Sequence, residues 1–357
     1  MSRNHAIAVI PGDGIGPEVV REGLRVLERV AAIEGFTVKP TRYPFGAEHY
    51  LKTREVFPDS AFEEVKRHDA ILLGAIGDPR IEVGLLEFGI IAKMRFELDL
   101  FVNLRPVRLF AEHLCPLKDT RPEDVDFVVV RENTEDAYAG MRGFFKKGTP
   151  DEIATQEILF TRKGVERVIR YSFELARRRH RRNKLTLIDK ANAVRAMDLW
   201  TRVFAEVGAE YPDIERDHQY IDAACMYLVR DPSGYDTVVT SNMFGDIFTD
   251  LAAMVQGGLG IAASGNIHPG RVSLFEPIHG SAPKYAGLGV ANPIATVMAV
   301  AMMLDYLGET TAANRIESAV TRLVATRRLP SLGTDSGFST TQVGDLVLSE
   351  LEAVPAR

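Results

Sequence analysis

Cysteine is nearly missing from this 357-residue chain: Cys115 and Cys225 stand far apart, with no CxxC and no Cys/His cluster. A disulfide framework and a thiolate zinc site are thereby excluded, and the cytosol is the expected location. Long apolar runs are missing too. Ile294 to Leu304, the most apolar stretch, is about half the roughly 20 residues a bilayer span needs, and Met1 to Pro11 is too weakly apolar for a signal peptide. No membrane partner is expected. Neither sign of charge dominates: 43 Lys and Arg against 49 Asp and Glu leave −6, which offers no sequence-wide attraction for nucleic acid. Several catalytic signatures are absent as well. There is no GxxxxGK[ST], HExxH or GxSxG, and PGDGIG at Pro11 to Gly16 is followed by Pro17 where GxGxxG requires glycine.

At roughly 150 residues per domain the length corresponds to about two domains, and with 46% hydrophobic residues the core can be sizeable. No repeat, low-complexity tract or Ser/Gly linker marks a boundary, so a discontinuous domain is allowed. Ala6 to Ile10, the glycine turn and the periodic segment to Glu34 read as strand, turn and helix. Val20, Leu24, Leu27 and Ala31 share one helical face, and Pro17 suits a first helical turn, where its missing N–H would go unpaired anyway. Further strands are predicted at Ala70 to Ala75, Phe127 to Val130, Lys184 to Ile188 and Thr237 to Thr240, with helices around Lys163 to Arg178 and Ala193 to Val207. Such alternation predicts an α/β layered fold. The cationic run Arg177 to Arg182 reads as a solvated helix C-terminus, with an RNA contact as the alternative.

In NMFGDIFTDL, Asp246 and Asp250 lie four residues apart and share a helix face. Nothing cationic stands at the neighbouring i±4 positions to answer their repulsion. A hard divalent cation such as Mg²⁺ or Mn²⁺ would answer it; the alternative is a plain helix-surface pair. Arg95, Arg105 and Arg131 each sit in an apolar or turn context. Their planar forks suit carboxylates of a ligand, or equally of neighbouring Asp and Glu. Lys190 in DKAN follows a predicted strand and reads as a partly desolvated base or as the partner of Asp189.

Taken together, PGDGIGPEV, NLRP, VRENTEDAYAG, DKAN, YIDA, NMFGDI, FEPIHGSAP and ANP resemble, in order and across essentially the whole chain, the isocitrate/isopropylmalate dehydrogenase family of metal-dependent β-decarboxylating dehydrogenases. The resemblance implies a two-domain α/β fold with a large mixed twisted sheet flanked by helices. Residues 1–103 and 252–357 would form a discontinuous cofactor-binding domain, and 104–251 the substrate, metal and dimerisation domain. Arg95, Arg105 and Arg131 would grip the carboxylates of a substituted malate, and Asp222, Asp246 and Asp250 would hold Mg²⁺ or Mn²⁺. Lys190 would take the C2 hydroxyl proton and Tyr138 would protonate C3. Lys190 and Asp222 would serve the partner's site across a homodimer interface. Gly74, Ile76, Glu87, Glu276, His279, Gly280, Ser281, Ala282, Pro283, Lys284, Tyr285 and Asn292 would meet the cofactor.

Two features bear on specificity. Lys284 and Tyr285 resemble NADP-using relatives, whereas the Leu332 to Gly344 tail lacks the Tyr and Arg of a 2′-phosphate site, so NAD is expected and NADP is the alternative. Before Arg95 the chain is mostly apolar, with Ile90 and Ile91 as candidate substrate contacts and Lys93 as the one substitute partner for a third carboxylate. Burying a carboxylate there unpaired would cost several kcal/mol, while an isopropyl group gains about 2 kcal/mol. The expected reaction is oxidative decarboxylation of 3-isopropylmalate with reduction of NAD, as in leucine biosynthesis. Isocitrate, homoisocitrate, tartrate, malate or another alkylmalate are alternatives, the last favoured by Ala193, where isopropylmalate enzymes usually carry Val, which implies a roomier pocket. A non-catalytic regulatory subunit is the alternative from another class.

Overall fold

The computed structural model describes residues 3 to 353. Its strands, in chain order, are β1 (Asn4–Gly12), β2 (Thr37–Arg42), β3 (Ala70–Ala75), β4 (Val102–Arg108), β5 (Asp126–Glu132), β6 (Arg142–Phe145), β7 (Ile153–Gln156), β8 (Lys184–Asp189), β9 (Glu215–Tyr220), β10 (Thr237–Thr240), β11 (Ala263–Ile267) and β12 (Ser273–Pro277). The chain divides into one unit of Met1–Leu100, Arg108–Pro122 and Ala253–Arg357 and a second of Phe101–Val107 and Glu123–Ala252. In the first, the strand order is β2-β1-β3-β12-β11, parallel except for the antiparallel β11–β12 pair. The second runs β4-β5-β10-β8-β9, with β5, β10, β8 and β9 parallel, and adds an antiparallel β6–β7 hairpin. An α/β fold with mixed strand pairing is what the alternating pattern and the family resemblance led us to expect.

Beside the expected 1–103, 252–357 and 104–251, this division groups 108–122 with the first unit and 101–103 and Ala252 with the second. Arg108 holds 108–122 in the first unit, its backbone N–H donating to Gln256 Oε1 at 2.9 Å and its guanidinium to Glu317 at 3.1 Å. Local expectations hold for the strands: β3 and β10 coincide with the expected runs, and β1, β5 and β8 extend a residue or two beyond theirs. The helix expected from Ala193 starts later, at Asp198, because the N–H groups of Ala193 and Val194 both turn back to Lys190 O at 2.9 and 2.8 Å. The Arg177 to Arg182 run is mostly exposed, as a solvated helix end should be, and it is also ion-paired. Arg177 meets Asp213 at 2.5 Å, Arg179 meets Asp126 and the fully buried Asp236, and Arg181 meets Asp126. These bonds anchor the helix Arg162–Arg179 to the starts of β5 and β10. Among the described residues, no helix is long and apolar enough to cross a membrane.

In the first unit the helix Gly16–Glu34 buries Val19, Val20, Leu24, Val26, Leu27 and Val30 and stops at Gly35 in the left-handed conformation. Each such side chain is worth about 1.5–3 kcal/mol when fully buried. Ahead of it, the glycine turn is stitched to two other segments. Asp13 N–H donates to Ala75 O at 2.7 Å and Ile15 N–H to Ser281 O at 2.9 Å. The Asp13 carboxylate accepts from Ala47 N–H at 2.6 Å and Gly77 N–H at 2.9 Å. Gly14 has φ +57°, and a Cβ there would lie 1.9 Å from Ser281 O. Replacing Gly14 by Ala should therefore lower stability by about 2–3 kcal/mol through overpacking and left-handed strain. Urea unfolding checks this, and a loss below about 0.5 kcal/mol, typical of an innocuous surface change, would contradict the tie to Ser281.

Candidate active site

In the second unit the site grows from the ends of β4 and β5 and the helix Asn242–Val255. Arg131, on β5, is buried, as is Arg105 on β4. Arg131 Nε donates to Asn242 O at 2.8 Å, Nη2 to Asn242 Oδ1 at 2.7 Å and Nη1 to Asp246 Oδ1 at 2.5 Å. Arg105 donates to Asn103 Oδ1 at 2.7 Å, Thr249 Oγ1 at 2.6 Å and Asp246 Oδ1 at 3.3 Å, and stands 3.6 Å from Asp250 Oδ1. The repulsion between Asp246 and Asp250 is thus answered from the strands, not from i±4 positions. Asp246 Oδ2 accepts from Tyr138 Oη at 3.2 Å, and the Arg131 guanidinium lies 5.7 Å from the Tyr138 ring centre. Burial, then the Asp246 charge, pushes the Tyr138 phenol above its ordinary value, so it keeps its proton at neutral pH.

Two residues that sequence reasoning missed fix this geometry. Asp136, at φ +73°, accepts from Met243 N–H at 2.9 Å and so pins the turn carrying Tyr138 to the start of the helix carrying Asp246. Asn242 accepts from Arg131 and donates to Glu135 O at 3.2 Å. A helix-start Asn was a readable capping signal; its long-range partners were not readable.

Beyond the parallel ends of β8 and β9, Lys190 Nζ meets Asp222 Oδ1 at 2.6 Å, which holds the exposed Asp222 carboxyl below its ordinary range. Lys190 is therefore not the partner of Asp189. Fully buried Asp189 bonds His218 Nε2 at 3.0 Å instead, and the bond raises the His218 pKa. Asp222 does not join Asp246 and Asp250: among the described residues of one chain, no group of three or more His, Cys, Asp or Glu could hold a metal. The hard oxygen donors of Asp246 and Asp250 fit Mg²⁺ or Mn²⁺ as part of a shell that one chain leaves incomplete.

The first unit holds Arg95 and the expected cofactor residues. Glu276 is buried, and its Oε1 accepts from Asn266 Nδ2 at 2.7 Å and Arg95 Nη2 at 3.2 Å. Arg95 Nε is buried without a partner. A cleft of about 520 Å³ is lined by Ile76, Glu87, Gly280, Ser281, Ala282 and Pro283 together with 77–79, 81–83 and Leu86. This volume lies in the range of small-molecule sites, about 300–1,000 Å³. His279, which precedes the lining residue Gly280 in the chain, has a buried Nε2 with no partner, and burial lowers its pKa. The Glu87 carboxylate and the Ser281 hydroxyl among the lining residues give the cleft polar groups that fit a polar ligand such as a nicotinamide cofactor.

Other expected contacts fall elsewhere. Gly74 is filled in by protein: a Cβ there would lie 2.2 Å from Pro11 O, so it serves the packing of the glycine turn. Asn292 spends its amide on Leu332 O at 3.1 Å and on the N–H of Ile294 at 3.0 Å. Lys284 Nζ lies 4.7 Å from the Tyr285 ring centre, and neither residue lines the cleft. Ile90 is fully buried in the core with Leu86, Met94 and Leu98, whereas Ile91 is half-buried. Lys93 is turned onto Phe57 O at 3.2 Å and Asp59 Oδ1 at 2.5 Å, between the rings of Phe57 and Phe62.

A family model described as isocitrate/isopropylmalate dehydrogenase matches residues 6–347. The chain is 52% identical over 348 residues, 96% of its own length and 97% of the relative's, to a 3-isopropylmalate dehydrogenase of Thermobifida fusca (strain YX). It is 50% identical over 348 residues, 97% and 99% of the two lengths, to a 3-isopropylmalate dehydrogenase of Mycobacterium avium (strain 104). Among solved structures, an isocitrate dehydrogenase from Methylococcus capsulatus is similar at a TM-score of 0.88 with 38% identity, over 97% of this chain and 99% of that one.

The Asp189–His218 pair gives the site's scaffold a pH dependence. Because the folded pKa of His218 is raised, its stabilisation is complete below the ordinary value of 6.5 and fades as pH climbs through the raised folded value. Thermal unfolding of the protein and of His218→Gln from pH 5.5 to 8.5, roughly one unit below to two above the ordinary histidine pKa, should show the gap between them narrowing as pH rises. A gap independent of pH would contradict a charged pair.

Proposed function

This chain belongs to the isocitrate/isopropylmalate dehydrogenase family and is a decarboxylating dehydrogenase, and from that premise we propose that its substrate is 3-isopropylmalate, oxidised with NAD and decarboxylated to 2-oxoisocaproate. The observation that carries the substrate choice is the placement of Lys93. Bound to Phe57 O and Asp59, it leaves no cation from its stretch of helix to meet a third carboxylate, while half-buried Ile91 lies four residues before Arg95. Isocitrate would bury a charge there at a cost of several kcal/mol, whereas an isopropyl group gains about 2 kcal/mol. NAD rather than NADP is supported by the absence of Tyr and Arg from 332–344.

Arg95, Arg105 and Arg131 bind and orient the malate carboxylates, their guanidiniums already desolvated and aimed by Glu276, Asn103, Thr249 and Asn242. Lys190 receives the C2 hydroxyl proton, and Tyr138, whose phenol is protonated at neutral pH, delivers a proton to C3. Mg²⁺ or Mn²⁺ held by Asp246, Asp250 and the partner subunit's Asp222 supplies, when bound, Lewis-acid stabilisation of charge on the C2 oxygen. A nicotinamide cofactor would be held by the residues lining the cleft, Ile76, Glu87 and 280–283.

A second copy of the chain completes the site. Met226, Tyr227 and Val229 on the helix Ile221–Arg230 are exposed, as are Ile247 on the helix bearing Asp246 and Phe144, Phe145 and Ile153 on the β6–β7 hairpin. Apolar side chains this numerous on one unit support an interface, with Lys190 and Asp222 beside it serving the partner.

Initial rates at 340 nm with Mn²⁺, with 3-isopropylmalate, isocitrate, malate and tartrate and with NAD and NADP, test the reading. We expect kcat/KM for 3-isopropylmalate with NAD to exceed the other acids by about a hundredfold, equivalent to about 2.7 kcal/mol, and to vanish in EDTA. Preference for isocitrate would overturn the substrate assignment, and silence on all four acids would favour another alkylmalate or a regulatory subunit.

A further inference from the structure

The helix that leads to Arg95 is not a regular α-helix. Residues Glu87–Ala92 form π-helix, and the Lys93 N–H reaches back to Phe88 O, five residues earlier. In an α-helix, side chains four apart drift by about 40° per step, so a row of four spirals through about 120°. Here the drift is removed. Leu86, Ile90, Met94 and Leu98, each four after the last, are all buried in one core.

With the drift removed, the other rows take separate directions as well, with Leu85 and Ile91 still packing against the edge of that core. Gly89 and Lys93 face 56–62: a Cβ on Gly89 would lie 2.5 Å from Val56 Cγ1, and Lys93 binds Phe57 O and Asp59. Phe88 and Phe96 fall on the outer row, both exposed. The remaining row is Glu87, Ile91 and Arg95. Glu87 lines the cleft, Ile91 is half-buried and Arg95 donates to Glu276. One straight row thus presents a cofactor contact, an apolar contact and a carboxylate grip, and a 3.6-residue period would splay them.

We propose that Gly89 and Lys93 are positioning residues for the dehydrogenase reaction: they seat the widened turn against Val56, Phe57 and Asp59, and that seating aligns Ile91 and Arg95 toward the substrate. The proposal rests on the substrate reading for what Ile91 meets, and on Arg95 alone for the carboxylate. Neither Gly89 nor Lys93 touches substrate. Gly89 is required because any side chain would push the helix off Val56, and Lys93 because its ammonium ties the helix to the preceding segment.

The test uses the full-length protein with Gly89→Ala, Lys93→Met, Lys93→Arg and, on the outer row, Phe96→Ala. Calorimetric titration with malate reads the carboxylate grip without turnover, and steady-state kinetics with 3-isopropylmalate read KM against kcat. Gly89→Ala and Lys93→Met should each weaken malate binding and raise the KM for 3-isopropylmalate about tenfold while kcat stays within about twofold, since displacement of a positioning contact by an ångström or less is costly. Lys93→Arg should restore both constants, and Phe96→Ala should leave them unchanged. Unchanged constants in Lys93→Met, or Lys93→Arg as impaired as Lys93→Met, would overturn the proposal. Should Gly89→Ala fail to fold, the two Lys93 variants still decide it. Wild-type protein that binds malate but ignores 3-isopropylmalate would contradict the substrate assignment alone, because the malate titrations still read the register.

Discussion

One carboxylate oxygen organises the second unit. Asp246 Oδ1 accepts from Arg131 at 2.5 Å and from Arg105 at 3.3 Å, and so joins β5, β4 and the helix Asn242–Val255 at a single atom. Two buried guanidiniums would be costly without it, and a buried charge left unpaired typically costs about 3–5 kcal/mol. The same carboxylate, through Oδ2, holds the Tyr138 phenol. Charge balance therefore holds Tyr138, Arg105, Arg131 and Asp246 together, the residues proposed as proton donor, carboxylate binders and metal ligand. Stability and function share the constraint: the arginines cannot be moved away from Asp246 without exposing their charge to an apolar surround.

How far the sequence could be read depends on the range of the interaction. β1, the glycine turn and the helix Gly16–Glu34 were legible because their signals are local: a branched apolar run, glycines, Pro17 and a period of 3.6. Strands β3 and β10 were legible from continuous apolar runs, as buried parallel strands require. Asp246 and Asp250 were found by spacing, yet their counter-charges stood on strands distant in sequence, so the apparent want of a cation was an artefact of looking only along the helix. Ile90 and Ile91 could not be told apart, because a widened turn leaves no mark in composition; in the fold Ile90 is fully buried and Ile91 packs half-buried against the edge of the same core. Lys93 was a candidate partner for a third carboxylate on sequence; Asp59 and the carbonyl of Phe57 claim it in the fold.

The family resemblance supplied roles that no spacing argument could. Lys190 and Asp222 form a pair at 2.6 Å, apart from the Asp246 and Asp250 carboxylates. A metal shell begun by two carboxylates and a base held elsewhere in the same chain make sense if each copy lends part of itself to the other. The exposed apolar residues on the helix Ile221–Arg230 and on the hairpin are where such an exchange would be sealed.

Co-expression of two inactive variants is the direct test of that sharing between copies. Lys190→Ala and Asp250→Asn should each be inactive alone. In a mixed dimer, one site combines intact Asp250 of the first chain with intact Lys190 of the second, while the other site carries both lesions. Random assortment then predicts recovery to about a quarter of wild-type kcat with KM unchanged. Mixed dimers, separated by two different affinity tags, that stay as inactive as either parent would contradict the account.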